Sequence, residues 1–262
     1  MGTGHLREGD LDALLDVLGG ARAAEDPGPA VPWELLDGLL RLVPCDVDVS
    51  YQAHDHRQHR CVLLQGAMLD GTRGVFSEAE PSPPDDRFWQ LWWTSICSWP
   101  QRTGDLRTVV HTGDLYPTER ERRADPMHAE VLTESRAELL LSLPAPPGEA
   151  RRLLFQRWDR PFTERDRQVL AVLRPHLLEL LADGDRRRAG VPRLTAREWE
   201  VLALFGAGLS TEDVAAALWI SVGTVRKHAE HIREKVGVHT VAEAAARALP
   251  HAPRAVPARA GR

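Results

Sequence analysis

The chain has 262 residues, 43% of them hydrophobic, and a net charge of -5, a length and balance suited to two globular domains. No apolar run approaches the roughly 20 residues of a membrane-spanning helix, and the opening MGTGHLREGD lacks the basic-then-apolar order of a secretory signal, so a soluble cytoplasmic protein with no membrane partner is expected. The three cysteines Cys45, Cys61 and Cys97 are widely spaced and fit reduced thiols, while Lys227 and Lys235 are the only lysines, which excludes a phosphate-loop or Schiff-base lysine upstream.

Residues 1–31 read as an N-terminal helix, Leu11 to Leu18, and a connector from Gly19 to Pro32 rich in Gly, Ala and Pro. Trp33, Leu36, Leu39, Leu40 and Val43 form a helical stripe stopped by Pro44. Val47 to Tyr51 alternates as a strand, Cys61 to Leu64 is an apolar strand, and His54 to Arg60 between them has the length of a hairpin loop. After Pro81-Ser82-Pro83-Pro84, a helix is expected from Asp85-Asp86 to Trp99. It carries Trp89, Trp92, Trp93 and Trp99, four tryptophans suited either to a bulky core or to the wall of an aromatic ligand pocket. Arg107 to His111 reads as a strand and Thr118 to Thr133 as a charged surface helix. Ala137 to Leu143 and Arg151 to Trp158 are strands joined by a Pro/Gly turn, and Phe162 to Asp166 starts a long closing helix. Leu170, Leu173, Leu177, Leu180 and Leu181 of that helix offer a seam for a dimer. The domain at 32–182 is therefore α+β, followed by a linker at 183–193.

The C-terminal pattern at 194–250 is all-α. Thr195 with Glu198 makes a capping box that opens a helix with Val201, Leu202 and Phe205 on one face, and Gly206 or Gly208 ends it. Ser210 caps a short second helix, Trp219-Ile220-Ser221 leaves room only for a tight turn, and Ser221 caps a third helix running to Val236. Val222, Val225, Ala229, Ile232 and Val236 form the buried stripe of the third helix, leaving Thr224, Arg226, Lys227, Glu230, His231, Arg233 and Glu234 on its outer side. Gly237 stops it, and Thr240 with Glu243 opens a fourth helix with the face Val241, Ala244, Ala245 and Ala248. Four short helices with a tight turn between the second and third describe a helix-turn-helix reader.

These residues resemble the C-terminal domain of LuxR/NarL-type transcription regulators. The match runs through Leu194-Thr195, Arg197-Glu198, Glu200-Val201-Leu202, Gly208-Leu209-Ser210, Val214-Ala215, Ile220-Ser221, Thr224-Val225, His228, Ile232, Lys235 and Gly237-Val238. The resemblance implies that the third helix enters the major groove of double-stranded DNA and that the fourth mediates dimerisation. The DNA-facing set it implies is Ser210, Thr211, Ser221, Thr224, Val225, Arg226, Lys227, Glu230, His231 and Lys235. Glu230 and Thr211-Glu212-Asp213 depart from the family, which places basic or polar residues there. Asp46, Phe88 to Trp99, Asp114-Leu115-Tyr116, Phe162-Thr163-x-Arg165-Asp166 and Arg174-Pro175-His176-Leu177 look like the GAF-like sensor half of actinobacterial LuxR-type regulators, with a PAS-like domain as the alternative.

Charge and site chemistry complete the expectation. From Leu194 to Leu249, Arg197, Arg226, Lys227, Arg233, Lys235 and Arg247 face seven carboxylates, so the reader is about neutral. Its phosphate affinity is expected to draw on Arg186-Arg187-Arg188 and Arg193, and on Arg254, Arg259 and Arg262 of a flexible basic tail at 251–262. His54, Asp55, His56, His59 and Cys61 are a weak candidate for a zinc or copper site, set against an exposed polar hairpin, and no metal is assigned. No dinucleotide loop, G-x-S-x-G, H-E-x-x-H, haem or flavin motif is present, so neither an enzyme nor a cofactor is expected. The reading is a homodimeric DNA-binding transcription regulator whose sensor half positions two readers and answers an unidentified small-molecule effector. The alternative is a protein-interaction adaptor that uses the helix-turn-helix fold without specific DNA binding.

Overall fold

In the computed structural model, which describes residues 6–252 apart from 134, 159 and 189, the chain divides into two units between Leu178 and Glu179. The first begins with α1 (Glu8–Ala23), longer than the sequence pattern predicts, because Leu14, Val17, Leu18 and Ala21 give it a continuous buried face. It packs on α2 (Trp33–Leu42), where a Cβ at Gly38 would stand 2.9 Å from Val17 Cγ1. The N-terminal helix is thus part of the first unit's core, and the connector is confined to the residues after Ala23.

Next come β1 (Val49–Asp55) and β2 (Arg60–Ala67), joined by a tight turn in which the Asp55 carboxylate accepts from the amides of Arg57 at 3.0 Å and Gln58 at 2.9 Å. The predicted hairpin loop shrinks to residues 56–59, because His54 and Asp55 extend β1. A short edge strand, β3 (Arg73–Phe76), has no counterpart among the expected elements.

The aromatic segment is not one helix. The Asp86 carboxylate caps α3 (Arg87–Leu91), two single 3-10 turns follow at Trp92–Thr94 and Ile96–Ser98, and α4 (Trp99–Thr103) completes it. Thr94 and Ser95 hydroxyls donate to the carbonyls of Leu91 and Trp92 at 2.9 and 2.8 Å, and Ser95 turns extended. Such local bonds compete with the helical ladder and break it. After β4 (Val109–His111) come α5 (Thr112–Leu115) and α6 (Glu119–Ala124). The predicted helix to Thr133 ends at Asp125-Pro126 and resumes only as a wide π turn at Met127–Val131. Then follow β5 (Ala137–Leu143), β6 (Glu149–Arg157) and α7 (Glu164–Arg188).

The six strands form one antiparallel sheet in the order β3-β2-β1-β6-β5-β4, so the first unit is α+β as expected. Its central strands are buried on both faces. Leu139, Leu141, Leu153 and Phe155 point one way, while Val110, Leu140, Ala150 and Leu154 point the other and pack on Trp89, Trp92, Ile96 and Cys97. Leu170, Leu173 and Leu177 of α7 are fully buried and Leu180 nearly so, which means that four of the five leucines read as a dimer seam are used inside the protomer, while Leu181 is half-buried. The helix also runs to Arg188, well into the segment read as a linker. Among the described residues no helix is long and apolar enough to cross a membrane.

The second unit contains α8 (Ala196–Gly206), α9 (Thr211–Leu218), α10 (Val222–Val236) and α11 (Val241–Ala248), the four helices expected, followed by a 3-10 turn at Leu249–His251. Trp199, Val201, Leu202, Val214, Val225, Ile232, Val236 and Ala244 meet in one core.

Candidate nucleic-acid interface

The second unit is held in shape largely by its helix ends. Thr195 Oγ1 accepts from the Glu198 amide at 3.2 Å while the Glu198 carboxylate accepts from the Thr195 amide at 2.7 Å, and Ser210 with Asp213 and Thr240 with Glu243 repeat the arrangement. Asp213 is therefore the capping partner of α9, which gives one of the two acidic departures in that helix a local structural reason. Ser221 caps α10 through the Thr224 amide at 3.1 Å. Between α9 and α10, Trp219 adopts the left-handed conformation at φ 54, and the Arg197 guanidinium donates to the Leu218 carbonyl at 2.8 Å. Two capped helices are thereby fixed across a turn of three residues, with Ile220 donating back to Ala215 at 3.1 Å.

The outer side of α10 carries Thr224, Arg226, Lys227, Glu230 and His231, all exposed. Arg226, Glu230 and Arg233 fall on successive turns and, with Thr211 of α9 and His239 and Thr240 of the following loop, line a groove of about 430 Å³. Among the described residues neither Arg226 nor Lys227 has an ion-pair partner, and Glu230, though within helical reach of both, pairs with neither. The two cations are thus unneutralised on a face that offers DNA both charge and hydrogen-bond donors.

The structure places the expected set unevenly. Thr211, Thr224, Arg226, Lys227, Glu230 and His231 share this side of the unit, and Ser210 and Ser221 stand at the helix starts, their hydroxyls engaged as caps. Val225 does not belong to the surface: it is fully buried in the core, as its place on the apolar stripe requires. Lys235 is drawn away as well, its ammonium 2.7 Å from both carboxylate oxygens of Glu198, tying the end of α10 to the start of α8. Burial works against ionising Glu198, but Lys235 and the Thr195 amide outweigh it and hold the carboxyl below its usual range. That pair spans 37 residues, and no local pattern announces it.

The basic flanks change the charge count. Arg186 and Arg187 pair with Asp183 at 3.2 and 3.6 Å, and Arg188 with Asp185 at 2.8 Å, so carboxylates of the same helix already engage the stretch expected to supply phosphate affinity. Arg193 is exposed, and Arg254, Arg259 and Arg262 lie outside the described residues. The Ala244, Ala245 and Ala248 face of α11 is buried in the unit's own core.

The histidines weighed as metal ligands in the first unit diverge. His54 lies inside the sheet, His56 meets the edge of Trp93, and His59 stacks on Trp89. Among the described residues no group of three or more His, Cys, Asp or Glu side chains is arranged to hold a metal.

Comparison with known proteins bears on the helix-turn-helix unit. Residues 192–248 match the model of the luxR family of bacterial regulatory proteins. A probable transcriptional regulatory protein NarL from Mycobacterium tuberculosis is 40% identical over 80 residues, 30% of this chain and 37% of that protein. The transcriptional regulatory protein MctR from Rhizobium johnstonii is 35% identical over 68 residues, 26% of this chain and 32% of that protein. The chain thus spans about a third of the length of these relatives. Among solved structures, the GAF domain of an Acinetobacter phosphoenolpyruvate-protein phosphotransferase aligns with 69% of this chain and 96% of that one, with a TM-score of 0.44 and 13% identity. The capped helices, the three-residue turn and the matched residues agree, and the C-terminal unit of this chain is a luxR-family helix-turn-helix domain.

Proposed function

We propose that the protein is a DNA-binding transcription regulator that acts as a homodimer, each copy laying α10 in a major groove. The observation that carries the reading is the pair of unneutralised cations, Arg226 and Lys227, on the outer side of a rigidly capped α10. Ser210, Thr211, Ser221, Thr224, Glu230 and His231 complete the contact surface, with Val225 acting as the packing residue beneath it. Two copies are called for because one domain brings few free cations to the phosphates, and paired readers on two half-sites double them. The first unit then answers a small-molecule effector, a reading supported by the buried polar atoms without hydrogen-bond partners around its sheet, including Asp48 Oδ1, Ser142 Oγ and Trp92 Nε1.

A second reading, a protein-interaction adaptor, draws support from Glu230, a carboxylate in the groove that Arg226 lines, and from Glu212 and Asp213 in the first turn of α9. Selection of bound sequences from random duplex DNA separates the two. A reproducible motif made of two related half-sites supports the regulator, and enrichment of no motif supports the adaptor.

A further inference from the structure

The guanidinium of Arg152, on the inner face of β6, is 2% exposed and has no carboxylate within ion-pairing distance among the described residues. Its partners are neutral acceptors. Nε donates to Gln52 Oε1 at 2.9 Å, Nη1 to the Cys97 carbonyl at 2.9 Å and Nη2 to His54 Nδ1 at 3.2 Å. An arginine cannot accept, so His54 Nδ1 is the unprotonated nitrogen of a neutral ring. Burial and the Arg152 charge together hold that imidazole well below its usual range. The indole of Trp92 lies beneath the guanidinium, 4.8 Å from ring centre to carbon.

Three of the five guanidinium N–H groups are used, leaving two. Two further buried donors belong to the same place. Ser142 stands directly opposite Arg152 in the β5–β6 register and so shares its face of the sheet, and its Oγ has no partner. The Trp92 Nε1 likewise has none. Glu138 is the nearest carboxylate on β5, but it lies four residues along the strand from Ser142, roughly 13 Å away at strand spacing, and does not pair with Arg152.

A buried cation beside two unpaired donors is chemistry that an anion completes, because a charge removed from water needs an opposite charge or a full set of bonds. One guanidinium balances a single negative charge, which a carboxylate supplies in the bidentate geometry arginine favours. We propose that the effector of the first unit is a small carboxylate, with its carboxyl group bound by Arg152 and Ser142. The proposal rests on the effector reading above and names its chemical class.

The test uses the full chain with benzoate as probe and benzamide, its neutral analogue of nearly the same shape, as control. Tryptophan fluorescence and thermal stability are followed at constant ionic strength. Benzoate is expected to bind saturably, benzamide to bind at least about tenfold more weakly, Arg152→Met to abolish the preference, and Ser142→Ala to weaken benzoate by about tenfold, the effect of one charge-assisted hydrogen bond. If Arg152→Met does not fold, Ser142→Ala alone carries the comparison. Equal binding of benzamide and benzoate, unchanged by Ser142→Ala, overturns the carboxylate assignment and leaves the effector reading standing. No saturable response to either probe overturns the assignment and removes the support the site gives to that reading.

Discussion

Replacing Glu230 by glutamine keeps the shape of the side chain and removes one negative charge from the groove that Arg226 and Arg233 also line. Because Glu230 is exposed and pairs with none of its cationic neighbours, the change disturbs no described ion pair, and its effect should fall on the field that DNA meets. Removing one repulsive charge is equivalent to gaining about one neutralised phosphate, which steepens the salt dependence of log K by about 0.9. Carried from 1 M to 0.15 M salt, that slope is worth roughly fivefold in affinity, about 1 kcal/mol, and it rises to roughly fifteenfold at 0.05 M. Fluorescence anisotropy with a selected operator and a mismatched duplex, each at two salt concentrations, measures both quantities. Tighter binding to both duplexes with the steeper slope is the expected result. Weaker operator binding with unchanged affinity for the mismatch would refute the reasoning, since it would mean that Glu230 accepts a hydrogen bond from a cytosine amino group.

Other consequences are as direct. Arg226→Ala and Lys227→Ala should each cost about 1 to 3 kcal/mol of operator affinity where the side chain reads a base edge, while the melting temperature stays near that of wild type, as binding isotherms and calorimetry on the same samples will show. Val225→Ala should do the reverse, losing about 1 to 2 kcal/mol of stability in urea titrations and keeping its sequence preference, because the side chain is in the core. Lys235→Met should cost about 1 to 2 kcal/mol at neutral pH by stranding the buried Glu198 carboxylate, the ammonium itself being partly exposed. The Glu198 pKa is depressed by folding, so its contribution is complete above the ordinary carboxyl value of 4.5 and is lost as pH falls through the lower folded value. The gap between wild type and Lys235→Met in chemical denaturation should therefore close on acidification; a gap that widens in acid contradicts the pairing.

The second unit was legible because its signals are local. Thr195 with Glu198, Ser210, Ser221, Gly237 and Thr240 with Glu243 each mark a helix end within four residues, and the structure has an end at every one. In the first unit the principal strands and the long closing helix could be read from alternation and turn chemistry, but the aromatic segment could not. Its tryptophans recur with helical spacing, whereas its conformation is decided by Thr94 and Ser95 hydroxyls competing for backbone carbonyls. The edge strand β3 has four exposed residues, RGVF, too short and too weakly patterned to stand out. Long-range pairs were invisible for a simpler reason: Arg152 and Gln52 are 100 residues apart, and only the β1–β6 register brings them together. The same limit misplaced His54, whose neighbours in sequence describe a polar hairpin while its partners in space are Arg152 and Trp92.

The central claim is that α10 reads DNA sequence through Arg226 and Lys227. Selection from random duplexes run in parallel on wild type and on the Arg226→Ala, Lys227→Ala double variant, with folding of both verified by circular dichroism, tests it most directly. Wild type is expected to give a reproducible motif, and the variant to lose preference at the positions those side chains contact. The same motif recovered from both proteins, with equal enrichment, would contradict it.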